Sequence, residues 1–144
     1  MKTSHTIHLL VFFIVCPLLT PRALAGHFDK CWSGGAYNSM AVYVVQARIN
    51  GIDLSPEDEI GVFDQEICVG DKIVNDAVAS FQTPMLIETS QDDGDGCGFQ
   101  DGHEIVIKVW DDSEGLELEA MLHFYDLDSG APIDPAPFQG NGSV

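Results

Sequence analysis

Hydrophobic and polar residues alternate over short stretches of this chain, a pattern typical of half-buried β-strands rather than of helices. The clearest stretch runs from His103 to Trp110, where Ile105, Ile107 and Val109 fall on one face of an extended strand. Beyond residue 25, no stretch of ordinary helix length repeats its apolar residues at intervals of three and four. The sequence therefore predicts an all-β protein.

Turn-forming residues divide the chain into short segments that we expect to be strands. Asn50-Gly51 is a strong hairpin signal, and Gly61 and Gly70 inside expected strands indicate bulges or close backbone approach. The expected strands cover residues 40–49, 52–54, 59–64, 67–74, 84–89, 103–110 and 116–125, followed by an irregular tail over 130–144. Because no helices are available to connect parallel strands, this order predicts an antiparallel two-layer β-sandwich, immunoglobulin-like or jelly-roll-like.

The first 25 residues have the order of features found in a Sec signal peptide. Lys2 precedes an apolar run over residues 9–16, and Ala23-Leu24-Ala25 places small residues at the two positions that signal peptidase reads. A membrane anchor is the alternative, but the run is shorter than the roughly 20 residues that span a bilayer, and Pro17 interrupts it. We therefore expect export, cleavage after Ala25, and a secreted or cell-surface product.

The mature chain, residues 26–144, is expected to be one strongly acidic domain. The whole chain carries 6 basic and 23 acidic residues, and Lys2 and Arg22 leave with the signal peptide, so 4 basic residues remain against 23 acidic ones, a net charge of −19. Such a charge repels nucleic-acid phosphates and anionic membranes, so we expect no nucleic-acid partner and no membrane insertion after cleavage. The 45% hydrophobic content is enough for a folded core.

Three cysteines remain after cleavage: Cys31, Cys68 and Cys97. In an oxidising compartment two of them are expected to pair, which leaves the third free or joined to another chain. The sequence alone leaves the pairing open. Their spacing is too wide for the tight Cys/His cluster that a zinc site needs.

A calcium site is predicted in the acidic stretch that begins at Asp93. Counted from there, Asp95, Asp101 and Glu104 fall at loop positions three, nine and twelve, with glycine at position six, and this is close to the spacing of a calcium loop. Cys97 occupies position five, where an oxygen ligand is usual, and the flanks are strand-like, so we expect an isolated Ca²⁺ loop rather than an EF-hand. Asp92 is an alternate ligand, and a solvated acidic turn is the alternative interpretation.

Two other acidic groups, Glu57-Asp58-Glu59 with Asp64 and Asp111-Asp112 with Glu114, are interpreted as turns with solvated side chains. Exposed aromatic rings could bind a sugar by stacking, and we consider five for that role, although for most of them we prefer a place in the core. They are Trp32, Tyr37 and Trp110 as the ligand-binding candidates, together with Tyr43 and Tyr125.

Catalytic motifs are missing from the sequence. It has no Gly-x-Ser-x-Gly nucleophile elbow and no His-Glu-x-x-His zinc helix, and neither His103 nor His123 has a credible nucleophile to serve. We therefore expect that the protein is not an enzyme.

Several segments together resemble an extracellular β-sandwich module of secreted and surface proteins from Bacteroidetes-type bacteria, often in chains with a type IX secretion sorting tail. The resemblance covers about Trp32 to the C-terminus. The segments that carry the resemblance are Trp32-Ser33-Gly34, 37–44, 49–54, 58–64, 67–70, 98–103 and 109–111. The most specific of them are 58–64 and 67–70. Three features depart from that pattern: Gln65-Glu66 replaces a glycine-containing turn, Cys31 and Cys97 are additional, and the sequence ends where relatives continue into a closing strand.

The resemblance implies an extracellular setting and a sandwich fold rather than a reaction. We expect a secreted, non-catalytic accessory module for cell-surface or extracellular attachment, stabilised by calcium if the acidic loop binds it. One alternative is a carbohydrate-binding module. The other is a subunit that lacks its last strand, and whose open sheet edge accepts a strand from a partner to form an oligomer. The partner is in each case an extracellular protein or a glycan.

Overall fold

The computed structural model describes residues 26–76, 78 and 81–144. The predicted signal peptide, residues 1–25, lies outside the described residues. All regular structure in the described part is β-strand, which confirms the all-β, sandwich-like fold. Within that part, the chain offers no helix of the length and apolarity that crossing a membrane requires.

Ten strands follow one another along the described chain, and every pairing between them is antiparallel. Four of them form one sheet in the order β5-β4-β7-β8, and the other pairs are β1 with β6, β2 with β3, and β9 with β10. The strands are β1 Met40–Val44, β2 Arg48–Ile49, β3 Ile52–Asp53, β4 Glu59–Asp64, β5 Ile67–Ile73, β6 Met85–Thr89, β7 Val106–Asp111, β8 Leu116–Glu119, β9 Phe124–Tyr125 and β10 Pro132–Ile133.

Two of the expected strands are each divided in the structure. The segment 40–49 forms β1 and then β2, which turns back through Asn50 and Gly51 into β3. Both turn residues have positive φ, 52° and 82°, as the predicted hairpin turn requires. The segment 116–125 forms β8 and then β9, whose partner β10 lies in the stretch predicted to be an irregular tail.

The main core lies between the four-stranded sheet and the pair β1-β6. Ile60 and Val62 from β4 and Ile107 from β7 pack in one cluster with Val42 from β1 and Ile87 from β6. Val62 is fully buried, and Ile60 and Ile87 are each only 1% exposed. Each such side chain contributes roughly 1.5–3 kcal/mol by leaving water, so this cluster is what holds the two layers together.

Of the two glycines predicted to mark a bulge or close backbone approach, Gly70 does so, whereas Gly61 lies against the rings of Phe63 and Phe28. A Cβ atom at Gly70 would lie 2.7 Å from the carbonyl oxygen of Glu88, where β5 approaches β6. One residue before it, Val69 is the extra residue of a bulge, because Val62 pairs with Gly70 while Phe63 pairs with Cys68.

The outer face of the four-stranded sheet carries a second, smaller core. Phe28, Phe63 and Cys68 form it, with Val106 and Trp110 packed against them. The N-terminal segment, which we define as residues 26–32, supplies Phe28 and lies across this face. Its backbone is bonded to β5, since the Cys31 N–H donates to the Cys68 carbonyl at 3.0 Å.

The C-terminal stretch has little regular structure beyond β10, as the sequence predicts, but it packs against the main core. Phe138 is 1% exposed and belongs to the main core. The Ala41 N–H donates to the Gly142 carbonyl at 3.0 Å, and the Val144 N–H donates to the Ala41 carbonyl at 2.9 Å, so the chain end lies parallel to β1. The expected open edge is therefore covered along this part of β1 by the protein's own C-terminal residues.

Candidate functional site

An unpaired strand edge is present in the four-stranded sheet at β8. In the described part of the chain, β8 pairs with β7 and with no strand on its other side. The Ala120 N–H donates to the Ile107 carbonyl at 2.8 Å, which fixes the direction of the backbone groups next to it. Since these groups alternate along a strand, the N–H and C=O of Glu117 and Glu119 point away from β7. These are the groups that an added strand would bind.

An apolar groove of about 440 Å³ lies beside this edge. Its walls come from residues 42–50 on one side and 118–125 on the other. Val44, Ile49, Leu122 and Phe124, which line it, are only partly buried against the main core. The groove therefore lies where two strands are interrupted, between β1 and β2 and between β8 and β9.

Exposed hydrophobic side chains extend this groove to the surface. Met121 is 86% exposed, and Phe81 and Leu127 are 40% and 38% exposed. The rings of Phe81 and Tyr125 meet edge to face, with centroids 5.8 Å apart. Apolar surface that is grouped around a groove, rather than scattered, is typical of a binding surface.

The β8 edge itself is acidic. The Glu117 carboxylate lies 3.2 Å from the Lys108 ammonium and 3.0 Å from the His27 ring, and these two hydrogen bonds, the His27 bond first, lower the pKa of Glu117. Glu119 is exposed and, among the described residues, forms no ion pair closer than 4.0 Å. The strand therefore offers a free carboxylate beside free backbone groups.

The predicted calcium ligands fall into two groups. Carboxylate oxygens of Asp92, Asp93 and Asp95 lie within 4.8 Å of one another. Asp101 and Glu104 are outside that group: the Asp101 carboxylate accepts the Gly140 N–H at 2.7 Å, and Glu104 is exposed just before β7. The twelve-residue loop expected from the spacing is therefore not assembled around one point, and a calcium site here would use Asp92, the alternate ligand, with Asp93 and Asp95.

Hydrogen bonds inside the acidic turn, and one to the backbone of Phe99, fix the conformation of the turn. The Asp92 carboxylate accepts the N–H groups of Gly94 and Gly96 at 2.8 and 3.0 Å, and the Asp92 N–H donates to the Phe99 carbonyl. Gly98 adopts φ 138°, and a Cβ there would lie 2.4 Å from the Asp92 nitrogen, so only glycine fits. These contacts therefore define the conformation of the backbone that carries the three carboxylates.

The cysteine pairing that the sequence leaves open is resolved. Cys31 and Cys97 form a disulfide, which connects the N-terminal segment to the acidic turn. Cys68 is free and 8% exposed, and burial raises the pKa of its thiol to about 11. Cys68 is therefore a structural residue of the second core rather than a reactive thiol.

None of the five aromatic side chains considered for sugar binding is fully buried, although Trp110 packs against the second core. The buried aromatic rings are phenylalanines, which have no polar atom that needs a partner. His27 stacks on the Trp110 ring at 3.8 Å and 5°, and the Lys30 ammonium lies 4.7 Å from the centre of the Trp32 ring. Tyr37, at 51% exposed, remains open to solvent.

Three acidic residues on or beside β4 are buried, although the sequence indicates turns with solvated side chains there. Asp58, Glu59 and Asp64 are 5%, 1% and 4% exposed. Each accepts N–H groups from a distant part of the chain: Asp58 from Asp112 at 3.0 Å, Glu59 from Phe28 at 3.2 Å, and Asp64 from Gln100 at 2.8 Å. These carboxylates hold three loops to the central strand.

His103 belongs to the same network. Its Nδ1 atom lies 2.8 Å from the Asp64 carboxylate, while the histidine side chain is 36% exposed. The Gly102 and Phe138 backbones are joined here as well, since the Gly102 N–H donates to the Phe138 carbonyl at 2.9 Å. The Asp64–His103 pair therefore positions the loop that supports the C-terminal stretch.

Comparison of the chain with protein-family models, with curated proteins and with solved structures finds no match in any of the three.

Proposed function

We propose that this chain is an exported, non-catalytic attachment module that binds an extended segment of another extracellular protein along β8. The observation that carries the proposal is the position of the unpaired β8 edge next to an apolar groove of about 440 Å³. Addition of a strand supplies main-chain hydrogen bonds, and an adjacent groove accepts the alternate side chains that face inward. The resemblance to extracellular modules of Bacteroidetes-type bacteria remains a prediction that agrees with this role.

Charge argues for a basic partner segment rather than a second copy of the chain. The sequence of β8 is Leu-Glu-Leu-Glu, and the mature chain has a net charge of −19 once Lys2 and Arg22 are removed. Two β8 strands side by side would place Glu117 and Glu119 against the same residues of the other copy, and like charges directly opposite each other destabilise a strand pair. In a segment that alternates apolar and basic residues, the apolar side chains would enter the groove and the basic ones would pair with the carboxylates.

Sugar binding is the weaker alternative because the tryptophan rings do not form a common platform. His27 covers a face of Trp110 and Lys30 lies over Trp32, so the stacking surface that a pyranose needs is already in use there. Tyr37 is the exposed ring among the three candidates. A glycan array would test this alternative, and specific glycan binding that is lost in Tyr37→Ala would favour it.

Calcium binding is a separate proposal for the acidic turn, where it would stabilise the fold rather than perform chemistry. It is supported by the three carboxylates of Asp92, Asp93 and Asp95 within 4.8 Å of one another. Calcium prefers such oxygen ligands, and extracellular calcium is abundant enough for weak sites.

Titration of the mature protein with short synthetic peptides tests the proposed function. We expect saturable binding of a peptide in which valine and lysine alternate, with chemical-shift changes concentrated at 116–125. A peptide of the same length that alternates valine and glutamate should not bind, because its charges face those of β8. Equal behaviour of the two peptides, or shift changes away from β8, would contradict the proposal.

A further inference from the structure

Glu59 is a charged residue in an environment that usually excludes charge. It is 1% exposed, yet its carboxylate accepts the backbone N–H of His27 on one oxygen and that of Phe28 on the other, the second at 3.2 Å. Buried carboxylates in proteins are normally paired with a cation as well as hydrogen-bonded. Burial is the main reason that the pKa of Glu59 is raised from its usual value.

The charged side chains around Glu59 do not supply that cation. Asp71 raises the pKa of Glu59 further, while the His27 ring opposes this and is itself bonded to Glu117. Lys30 lies 3.6 Å from Asp71, and Lys108 lies 3.2 Å from Glu117. Within the described residues, each cation near this face of the sheet is therefore directed to another carboxylate.

Gly26 lies directly against the Glu59 carboxylate. A Cβ atom at Gly26 would be 2.7 Å and 3.0 Å from the two carboxylate oxygens, so no larger residue fits without displacing Glu59. The Gly26 nitrogen is bonded to the same Cα and lies roughly 2.5 Å from that Cβ position. The Gly26 nitrogen immediately precedes the His27 and Phe28 nitrogens, both of which donate to Glu59.

We propose that removal of the predicted signal peptide after Ala25 creates the missing cation, because the new α-ammonium group of Gly26 forms a buried ion pair with Glu59. Hydrolysis adds water across the Ala25–Gly26 amide: the oxygen joins the Ala25 carbonyl carbon, and the Gly26 nitrogen becomes an amine. With an ordinary α-amino pKa of about 7.7–8.0, that amine takes a further proton from solvent at neutral pH. The proposal rests on the export that forms part of the proposed function.

The ion pair would make the fold sensitive to its own maturation. Gly26, His27 and Phe28 would then hold Glu59 through three consecutive nitrogens, and Phe28 would be fixed in the second core. The same segment carries Cys31, whose disulfide reaches the acidic turn. Processing would therefore add an ion pair to the hydrogen bonds, the buried ring of Phe28 and the disulfide that already hold the N-terminal segment to the outer face of the sheet.

A double-mutant cycle tests the proposal with the full chain and its own leader. The chain is expressed in a host that exports it, and the mass of the purified protein identifies its N-terminus. One variant inserts two serines between Ala25 and Gly26, so that cleavage leaves an amide at Gly26 and the ammonium at a distance. Glu59→Gln is combined with each form, because glutamine keeps the shape and an acceptor oxygen but not the charge.

We expect the native N-terminus to raise the melting temperature by about 3 °C or more over the serine-extended form. That difference should vanish in Glu59→Gln. Equal melting temperatures of the native and extended forms with Glu59 present would overturn the proposal. A mass showing an N-terminus other than Gly26 would overturn it too, while leaving peptide binding at β8 untouched.

The pH profile provides a readout that does not depend on the folding of the glutamine variant. An ion pair raises the pKa of the α-ammonium in the folded state, so wherever Glu59 is ionised its stabilisation is complete below about pH 7.7 and is lost as the pH rises through the raised value. The difference between native and extended forms should therefore shrink in alkaline solution. The other charged or titratable groups near this face are the same in both forms and cancel in that difference: Asp71, Cys68, His27, Glu117, Lys30 and Lys108. A difference that is constant with pH would contradict the ion pair.

Discussion

The ring of Phe138 stacks on the ring of Phe99, with centroids 4.8 Å apart and an interplanar angle of 7°. Both side chains are almost fully buried. Phe99 follows the acidic turn directly, and Phe138 lies six residues before the end of the sequence. This contact joins the C-terminal stretch, the acidic turn and the main core into one unit, so the stability of each should depend on the others.

Phe138→Ala should destabilise the protein by about 3–5 kcal/mol, because the change removes a buried ring and leaves a cavity beside Phe99. Urea unfolding measures the loss. Ile133→Ala is the matched control from the same stretch: Ile133 is 47% exposed, and its truncation should change stability by about 0.5 kcal/mol or less. Equal effects of the two substitutions would show that the C-terminal stretch is not part of the core.

The longer strands could be predicted from the sequence, since their apolar residues alternate with polar ones or form a short continuous apolar run. Ile107 and Val109 alternate as predicted in β7, although that strand begins at Val106, three residues later than the pattern places it, and leaves Ile105 just outside. The breaks at 45–47 and 120–123 could not be predicted, since the apolar alternation continues through them while the backbone leaves the ladder. Those breaks create the groove, so the proposed binding site was the part of the fold that periodicity does not reveal.

The residues of the candidate sites could also be predicted only in part from the sequence. The sequence identified Asp93 and Asp95, but Phe99 pairs back with Gln91 and the Asp101 carboxylate accepts the Gly140 N–H, which removes the later ligands from the turn. Glu59 looked like part of a solvated acidic run, because its partners at residues 27 and 28 are more than thirty positions away. A spacing rule cannot find a contact that depends on the folding of a distant segment across a sheet.

The disulfide should be a major source of stability. Cys31 and Cys97 are 66 residues apart in sequence, and closing a loop of that length stabilises the folded state by about 4 kcal/mol in the chain-entropy description. We expect the double variant Cys31→Ser/Cys97→Ser to lose about that much in urea unfolding. Cys68→Ser is the control that keeps the bridge, and a double variant as stable as the native protein would contradict the pairing.

Cys68 should be inert to thiol reagents until the protein unfolds. Its pKa is raised to about 11 by burial, so the thiol stays protonated at pH values where an exposed cysteine reacts. The contribution of the protonated thiol to the stability of the fold is complete below the ordinary thiol pKa of 9.0 and is lost as the pH rises through about 11. Alkylation of the native mature protein should label no cysteine, and one should be labelled in denaturant. Rapid labelling of the native protein would be the contrary result.

Calcium should raise the melting temperature of the mature protein relative to a chelator, because an ion that binds only the folded state stabilises it by linkage, by about 2.7 kcal/mol at a hundred times its Kd. Asp93→Asn should abolish the rise, since that carboxylate accepts no hydrogen bond among the described residues and is free to act as a ligand. Asp134→Asn, at an exposed site just after β10, should leave it intact. The absence of any calcium effect in the native protein would reduce the cluster to a charged turn.

Binding along β8 should weaken when one of its outward backbone N–H groups is removed. Glu119→Pro removes a donor that points away from β7, and edge strands tolerate proline at such positions. Glu119→Ala loses the same carboxylate but keeps the N–H, so it separates the hydrogen bond from the charge. Thermal unfolding of both variants establishes that the sheet remains folded.

The most direct test is the affinity of the alternating valine–lysine peptide for these two variants, measured by calorimetry. If the peptide adds a strand to β8, Glu119→Pro should weaken binding by about tenfold relative to Glu119→Ala, which corresponds to about 1.4 kcal/mol. Equal affinities of the proline and alanine variants would mean that no strand is added at β8, and would contradict the proposed function.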